Sequence, residues 1–268
     1  MKFRFSSVPY IVWSVIFVVV PLILVAVFGL STSDGQFTFA NVAKVSDYTA
    51  VFVRSIWLSL VATAICLVIA YPLGFIMSRY NANNQRTLVM LVMLPMWTNF
   101  LLRTYAMMTI LENNGLLNTL LEKLGLPKRQ FIGTEGAVLL GLVYNYLPFM
   151  VLPIYTALKK IDNGMIEAAE DLGANPLRVV TRVVIPQTVP GILSGITMVF
   201  MPAVTTFAIS YMLSNGTIYL TGDMIDEFFR GLNNRNAGSA LSLVMMLLML
   251  GSTLLLRRAN PNQKGGKA

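Results

Sequence analysis

The sequence predicts an all-α polytopic membrane protein with six transmembrane helices and both termini on the cytoplasmic side. Three observations carry that prediction. Of the 268 residues, 56% are hydrophobic and 12% charged, about half the charged fraction of a soluble domain. The apolar residues gather into runs long enough to cross a bilayer, which takes about 20 residues of helix. Lysine and arginine are denser in alternate connecting loops, the pattern that sets orientation.

The runs fall at about 9–30, 54–78, 87–111, 136–158, 190–213 and 238–256, in one transmembrane domain over 1–268. The first follows Lys2 and Arg4. It exceeds a signal-peptide core, and "VAVFGLSTSDG" is a poor cleavage site, so a retained helix is expected. The second holds Cys66, read as a small membrane-buried side chain. The third contains "LPMWTNFLLRTYAMM", Leu94 to Met108, with a charge inside it at Arg103. Such a charge costs roughly 2.5–3.5 kcal/mol at the bilayer centre. Counted from Thr87, Arg103 lies about 24 Å along a helix. There it either snorkels to the outer surface or pairs with Glu112, Glu135 or Asp223. Five of the six runs contain proline: Pro21, Pro72, Pro95, Pro148 with Pro153, and Pro202. Neighbouring helices satisfy the carbonyls that proline frees, so these are either ordinary kinks or hinges of a pathway that opens and closes.

Orientation follows from the loops. One side holds twelve Lys and Arg against four Asp and Glu, and the other seven against eight. The first side is cytoplasmic by its basic excess. The net charge of +8 is thus a topology signal, and its dispersal among spans argues against a nucleic-acid partner. With no histidine and one cysteine, disulfide frameworks, zinc sites and His-dependent catalysis are excluded. No catalytic residue, metal or resident cofactor is expected.

Between the fourth and fifth runs the cytoplasmic loop 160–189 carries "EAAEDLGANPLRVVTRVVIPQ", Glu167 to Gln187. Met165, Ala168, Ala169 and Leu172 form the i, i+3, i+4, i+7 stripe of an amphipathic helix, with Glu167, Glu170 and Asp171 on its other faces. Gly173 stops it with a left-handed residue, where a side chain would also clash. Asn175-Pro176 reads as an N-cap with proline at the first helical position. Leu177, Val180 and Val184 make a second apolar stripe and Arg178 and Arg182 a basic one. Pro186 and Pro190 bend the chain into the fifth span.

Glu167-Ala168-Ala169, then Gly173, then Ile185-Pro186 resemble the EAA loop of ATP-binding-cassette (ABC) importer permeases, with Ile185 where those carry leucine. The resemblance implies the type I importer permease fold, with the loop forming coupling helices in a cleft of a separate ATPase subunit. Its coupling residues would be Glu167, Ala168, Ala169, Asp171, Gly173, Ala174, Arg178 and Pro186. ATP and Mg would bind that partner, and this chain has no G-x-x-x-x-G-K-[ST] phosphate loop. Two ATPase copies, a second homologous permease subunit and an extracytoplasmic solute-binding protein would complete the importer in a bacterial inner membrane.

Pro95-Met96-Trp97-Thr98-Asn99, Arg103-Thr104-Tyr105 and "GLVYNYLPFMVLPIYTALKKID" are similar to spermidine/putrescine importer permeases, which implies a polyamine substrate. A polycation needs carboxylates and aromatic faces along its route. Trp97, Asn99, Tyr105, Tyr144, Tyr146, Phe207, Tyr211 and Asp223 are the candidate pathway residues, with Asp223, Asp226 and Glu227 as an acidic entrance. Each aromatic is also at home at a membrane interface. Arg103 would repel a cation and is assigned to structure or gating. The rivals are another organic cation, an amino acid derivative, ferric iron or sulfate in the same permease class. A secondary transporter is a further rival, but the inverted repeats and midplane carboxylates it predicts are not found in the sequence.

Overall fold

A computed structural model describes residues 8–32, 34–232 and 234–259. Lys2, Arg4, Lys264 and Lys267, counted for the cytoplasmic side, lie outside the described residues. The elements are α1 (Val8–Gly29), α2 (Thr49–Arg79), α3 (Ala82–Trp97), α4 (Phe100–Leu111), α5 (Leu116–Lys123), α6 (Glu135–Leu158), α7 (Asn163–Asp171), α8 (Pro176–Thr205), α9 (Ala208–Ser214), α10 (Thr221–Arg230) and α11 (Arg235–Ala259). Among them α1, α2, α6, α8 and α11 are each long and apolar enough to span a bilayer, and α3 with the helices that follow it supplies a sixth.

Two stretches differ from straight spans, and both breaks have local causes. Over 87–111 the chain is two helices, and the segment Phe100–Lys123 turns 86° from α3. Pro95 weakens the end of α3, Thr98 and Asn99 take extended backbone, and Asn99 restarts the chain as N-cap of α4. Its side chain accepts from the N–H groups of Leu101 (2.8 Å) and Leu102 (3.3 Å), satisfying donors that a helix start leaves open. Over 190–213, α8 stops at Thr205, three residues after Pro202, and α9 begins at Ala208. At its other end α8 starts at Pro176, so one helix runs unbroken from the polar loop into the fifth span.

Proline also explains two widened turns. Val15–Val19 and Val180–Val184 are π-helical, each ending two residues before a proline, Pro21 and Pro186. The ring removes one N–H and crowds the carbonyl four residues back. A π-bulge absorbs the misfit without ending the helix.

The core lies among α2, α6 and α8, with α6 packing extensively on both of the others. Small residues allow the close approach, as is usual in membrane bundles. A Cβ placed on Gly191 of α8 would sit 2.5 Å from Ala157 Cβ and 2.7 Å from the Pro153 carbonyl oxygen of α6. Cys66 is fully buried in this core. A second cluster of Phe52, Val204, Phe228, Ala240, Leu241 and Met245 joins α2, α8, α10 and α11. Helix α1 packs against α11 and otherwise leaves most of its apolar side chains exposed.

Candidate functional site

The loop between α6 and α8 folds as two helices around a glycine turn. Asp162 caps α7 by accepting from the Gly164 N–H at 3.0 Å. At the other end the Ala174 N–H reaches the Ala169 carbonyl (3.1 Å) and the Gly173 N–H the Glu170 carbonyl (2.8 Å). With Gly173 at φ +78° this is a Schellman ending. Asn175 then caps α8, accepting from the Arg178 N–H at 2.8 Å with Pro176 at the first helical position.

This unit buries Ala169 and Val184 of the stripes read in the sequence and replaces the others with Ile166 and Val179. Ile166 and Ala169 face the core on α7, and Val179 and Val184 on α8. Met165, Ala168, Leu172 and Leu177 point outward, Leu172 being 88% and Leu177 71% exposed. Ile166 and Ala169 are themselves three residues apart on one helical face, next to the stripe expected from Met165. The expected clash at Gly173 is likewise corrected: a Cβ there would meet nothing within 4 Å. The glycine is required by its left-handed backbone alone. Glu167, Glu170, Asp171, Arg178, Arg182 and Pro186 are exposed, and Glu167 has no hydrogen-bond or ion-pair partner among the described residues. The result is a knob, apolar at Leu172 and Leu177 with charge around it, whose inner face is seated in the bundle core.

The second constellation gathers at the two helix breaks. Arg103 neither snorkels nor pairs with Glu112, Glu135 or Asp223. Its Nε donates to Asn145 Oδ1 at 2.9 Å, its Nη1 to the Pro95 carbonyl, and its guanidinium lies 5.8 Å from the Tyr144 ring centroid. Glu135 pairs instead with Arg54 at 3.3 Å. One residue on, Tyr146 donates to the Pro202 carbonyl at 3.3 Å. Three consecutive side chains of α6, Tyr144, Asn145 and Tyr146, thus hold α4 on one side and α8 on the other. Asn145 had no signal beyond being an amide inside an apolar run. Trp97, Tyr105, Phe207 and Tyr211 are exposed on the segments flanking these breaks, and Asn99 serves as the cap described above.

Asp223 is not an open acidic entrance. It is 6% exposed, in the first turn of α10, outside the spans. Its Oδ2 accepts from the Leu220 N–H at 2.8 Å, and its Oδ1 has no hydrogen-bond partner. Burial pushes the carboxyl up to about 6, against the pull of the Ser210 hydroxyl and the Leu220 N–H. Thr221 beside it bonds Ser55 of α2 through both its N–H (2.7 Å) and its hydroxyl (2.9 Å). Asp226 pairs with Arg230 at 2.8 Å. No group of three or more His, Cys, Asp or Glu is placed to hold a metal ion among the described residues.

Residues 3–264 match the model of the family described as "Binding-protein-dependent transport system inner membrane component". The chain is 39% identical over 258 residues to the spermidine/putrescine transport system permease protein PotB of Haemophilus influenzae, covering 92% of this chain and 90% of that one. To the Escherichia coli K12 protein of the same name it is 35% identical, covering 88% and 90%. Among solved structures, a bacterial alginate ABC transporter in complex with an alginate-pentasaccharide-bound periplasmic protein has a chain of the same fold. The TM-score is 0.75 at 16% identity, covering 98% of this chain and 95% of that one.

Proposed function

The chain belongs to the binding-protein-dependent transport system inner membrane component family, and from that premise we propose that it is a permease subunit of an ATP-driven importer of spermidine and putrescine. Likeness along nine-tenths of its length to permeases of spermidine/putrescine systems carries this reading. An extracytoplasmic binding protein delivers the polyamine, this chain and a second permease subunit form the route, and two copies of an ATPase subunit hold and hydrolyse ATP on the cytoplasmic side of a bacterial inner membrane. This chain catalyses nothing itself.

The knob of α7 and the start of α8 is the part on which the ATPase pulls. Leu172 and Leu177 give it an apolar tip for a protein cleft, and Glu167, Asp171 and Arg178 give that contact its polarity. Two features make it a lever: Ile166 and Val179 root it in the core, and α8 continues without interruption into the membrane. Displacement of the knob therefore tilts α8 against α6, where the Tyr146 contact to Pro202 and the Arg103 clasp to Asn145 are the joints. Arg103 acts there as a positioning residue.

For the substrate, exposed aromatic side chains flank the two helix breaks. The rings of Trp97, Tyr105, Tyr144, Phe207 and Tyr211 offer cation–π faces that offset lost hydration. Uptake of labelled spermidine into cells lacking this chain, with and without its gene restored, tests the reading. Restoration of spermidine uptake, competed by putrescine and not by sulfate or ferric iron, is expected; restoration of a different solute instead overturns the substrate assignment.

A further inference from the structure

A polar cavity of 470 Å³ lies where α2 ends, α3 begins and α6 ends. Three helix termini meeting at one level place it where the spans leave the apolar layer. Its charged lining residues are Arg79, whose guanidinium also lies 4.9 Å from the Phe75 ring centroid, and Lys159, and among the described residues no carboxylate lines it. Ser78, Tyr80 and Gln85 add polar surface, while Leu158, Ile161, Ile166 and Val184 complete it with hydrocarbon.

The floor is preorganised. Carbonyls at the end of α2 would ordinarily repel an anion, but Gln85 Nε2 donates to the Ser78 (3.0 Å) and Tyr80 (2.7 Å) carbonyls. Gln85 Oε1 in turn accepts from the Tyr155 hydroxyl at 3.0 Å. The adjacent acid, Asp162, is turned to the cap of α7 and is not among the residues that line the cavity. Two cations, masked carbonyls and an apolar wall at membrane-surface depth are the features of lipid headgroup pockets between helices. The volume is far larger than a single ion needs, since a water occupies about 30 Å³.

We propose that this cavity binds a phosphate-bearing anion, the headgroup of an acidic phospholipid, between Arg79 and Lys159. Ile166 and Val184, two of the side chains that seat the knob, form part of its wall. An occupant therefore touches both the bundle and the lever, and its presence would brace one against the other. The site is independent of which solute is carried.

The test is native mass spectrometry of the purified full-length chain in detergent, with phosphatidylglycerol or phosphatidylcholine added. Wild type should retain phosphatidylglycerol in preference to phosphatidylcholine. The double variant Arg79→Gln/Lys159→Gln should retain about thirtyfold less, at about fivefold per cation near an anionic surface. Arg54→Gln, at the far end of α2, should retain the wild-type amount. If the double variant is not recovered folded, Lys159→Gln alone should lose about fivefold. Added glycerol phosphate separates the sources: no displacement assigns the site to lipid, and displacement assigns it to a soluble phosphate. Equal retention of the two lipids by wild type, or undiminished retention by the variants, overturns the proposal.

Discussion

Arg103 shows how a single charge becomes tolerable inside a membrane helix. A break in the span lets a carbonyl, an amide and an aromatic ring converge on it. Its cost and the proximity of Pro95 were readable from residue order, whereas Asn145, 42 positions away, was not, because only the packing of α4 on α6 joins them. Arg103→Leu should lower stability by about 1–3 kcal/mol, since hydrogen bonds to a charged group are lost and Asn145 Oδ1 is left unpaired. Arg103→Lys should recover only part, because an ammonium cannot reproduce the forked guanidinium contacts; thermal unfolding in detergent measures both. Asp223 makes a pH-dependent prediction. Its carboxyl holds a proton up to about 6 in the folded chain against an ordinary value of 3.8. Between those values the native state binds more protons than the unfolded one, so stability falls as pH rises through this window and stays lowered above it. The size is about 3 kcal/mol. Asp223→Asn keeps an acceptor for the Leu220 N–H, so it should exceed wild type in unfolding temperature at pH 8 and converge with it near pH 4. Parallel curves across that range would contradict this account of the buried carboxylate.

At the level of elements, the six apolar runs emerge as helices because bilayer length and composition leave few alternatives. The knob's two helices, its glycine turn and the cap of its second helix were likewise legible, since Gly173, Asn175 and Pro176 act through their own backbone neighbours. The buried face was legible only in part. The period pointed inward at Ala169 and Val184, as found, but also at Met165, Leu172 and Leu177, which face outward, while Ile166 and Val179 are buried beside the expected stripes. Breaks within the third and fifth spans were also hidden, because Pro95 and Pro202 bend a helix in some surroundings and end it in others. What faces outward from the knob is now open to test. Leu172→Arg should leave stability within about 0.5 kcal/mol, as exposed substitutions do, yet reduce co-purification of the ATPase. Gly173→Asp should insert normally, since Asp tolerates left-handed backbone better than most residues and a Cβ there meets nothing within 4 Å among the described residues. It should nevertheless abolish ATPase docking; co-purification at normal yield would show that the turn does not enter the partner's cleft.

For the whole molecule, the long helices form a trio and a pair. Helices α2, α6 and α8 pack together beneath the knob, and α1 packs on α11. The knob and the break after Pro202 lie on this trio, and Arg103 of α4 is clasped to it through Asn145 of α6. The most direct test of that arrangement as an ATP-driven polyamine route is uptake of labelled spermidine by cells with and without this chain, measured with the proton gradient collapsed and ATP maintained. Uptake that depends on the chain and persists under those conditions is the predicted result. Uptake that disappears with the gradient, or that proceeds equally without the chain, would contradict it.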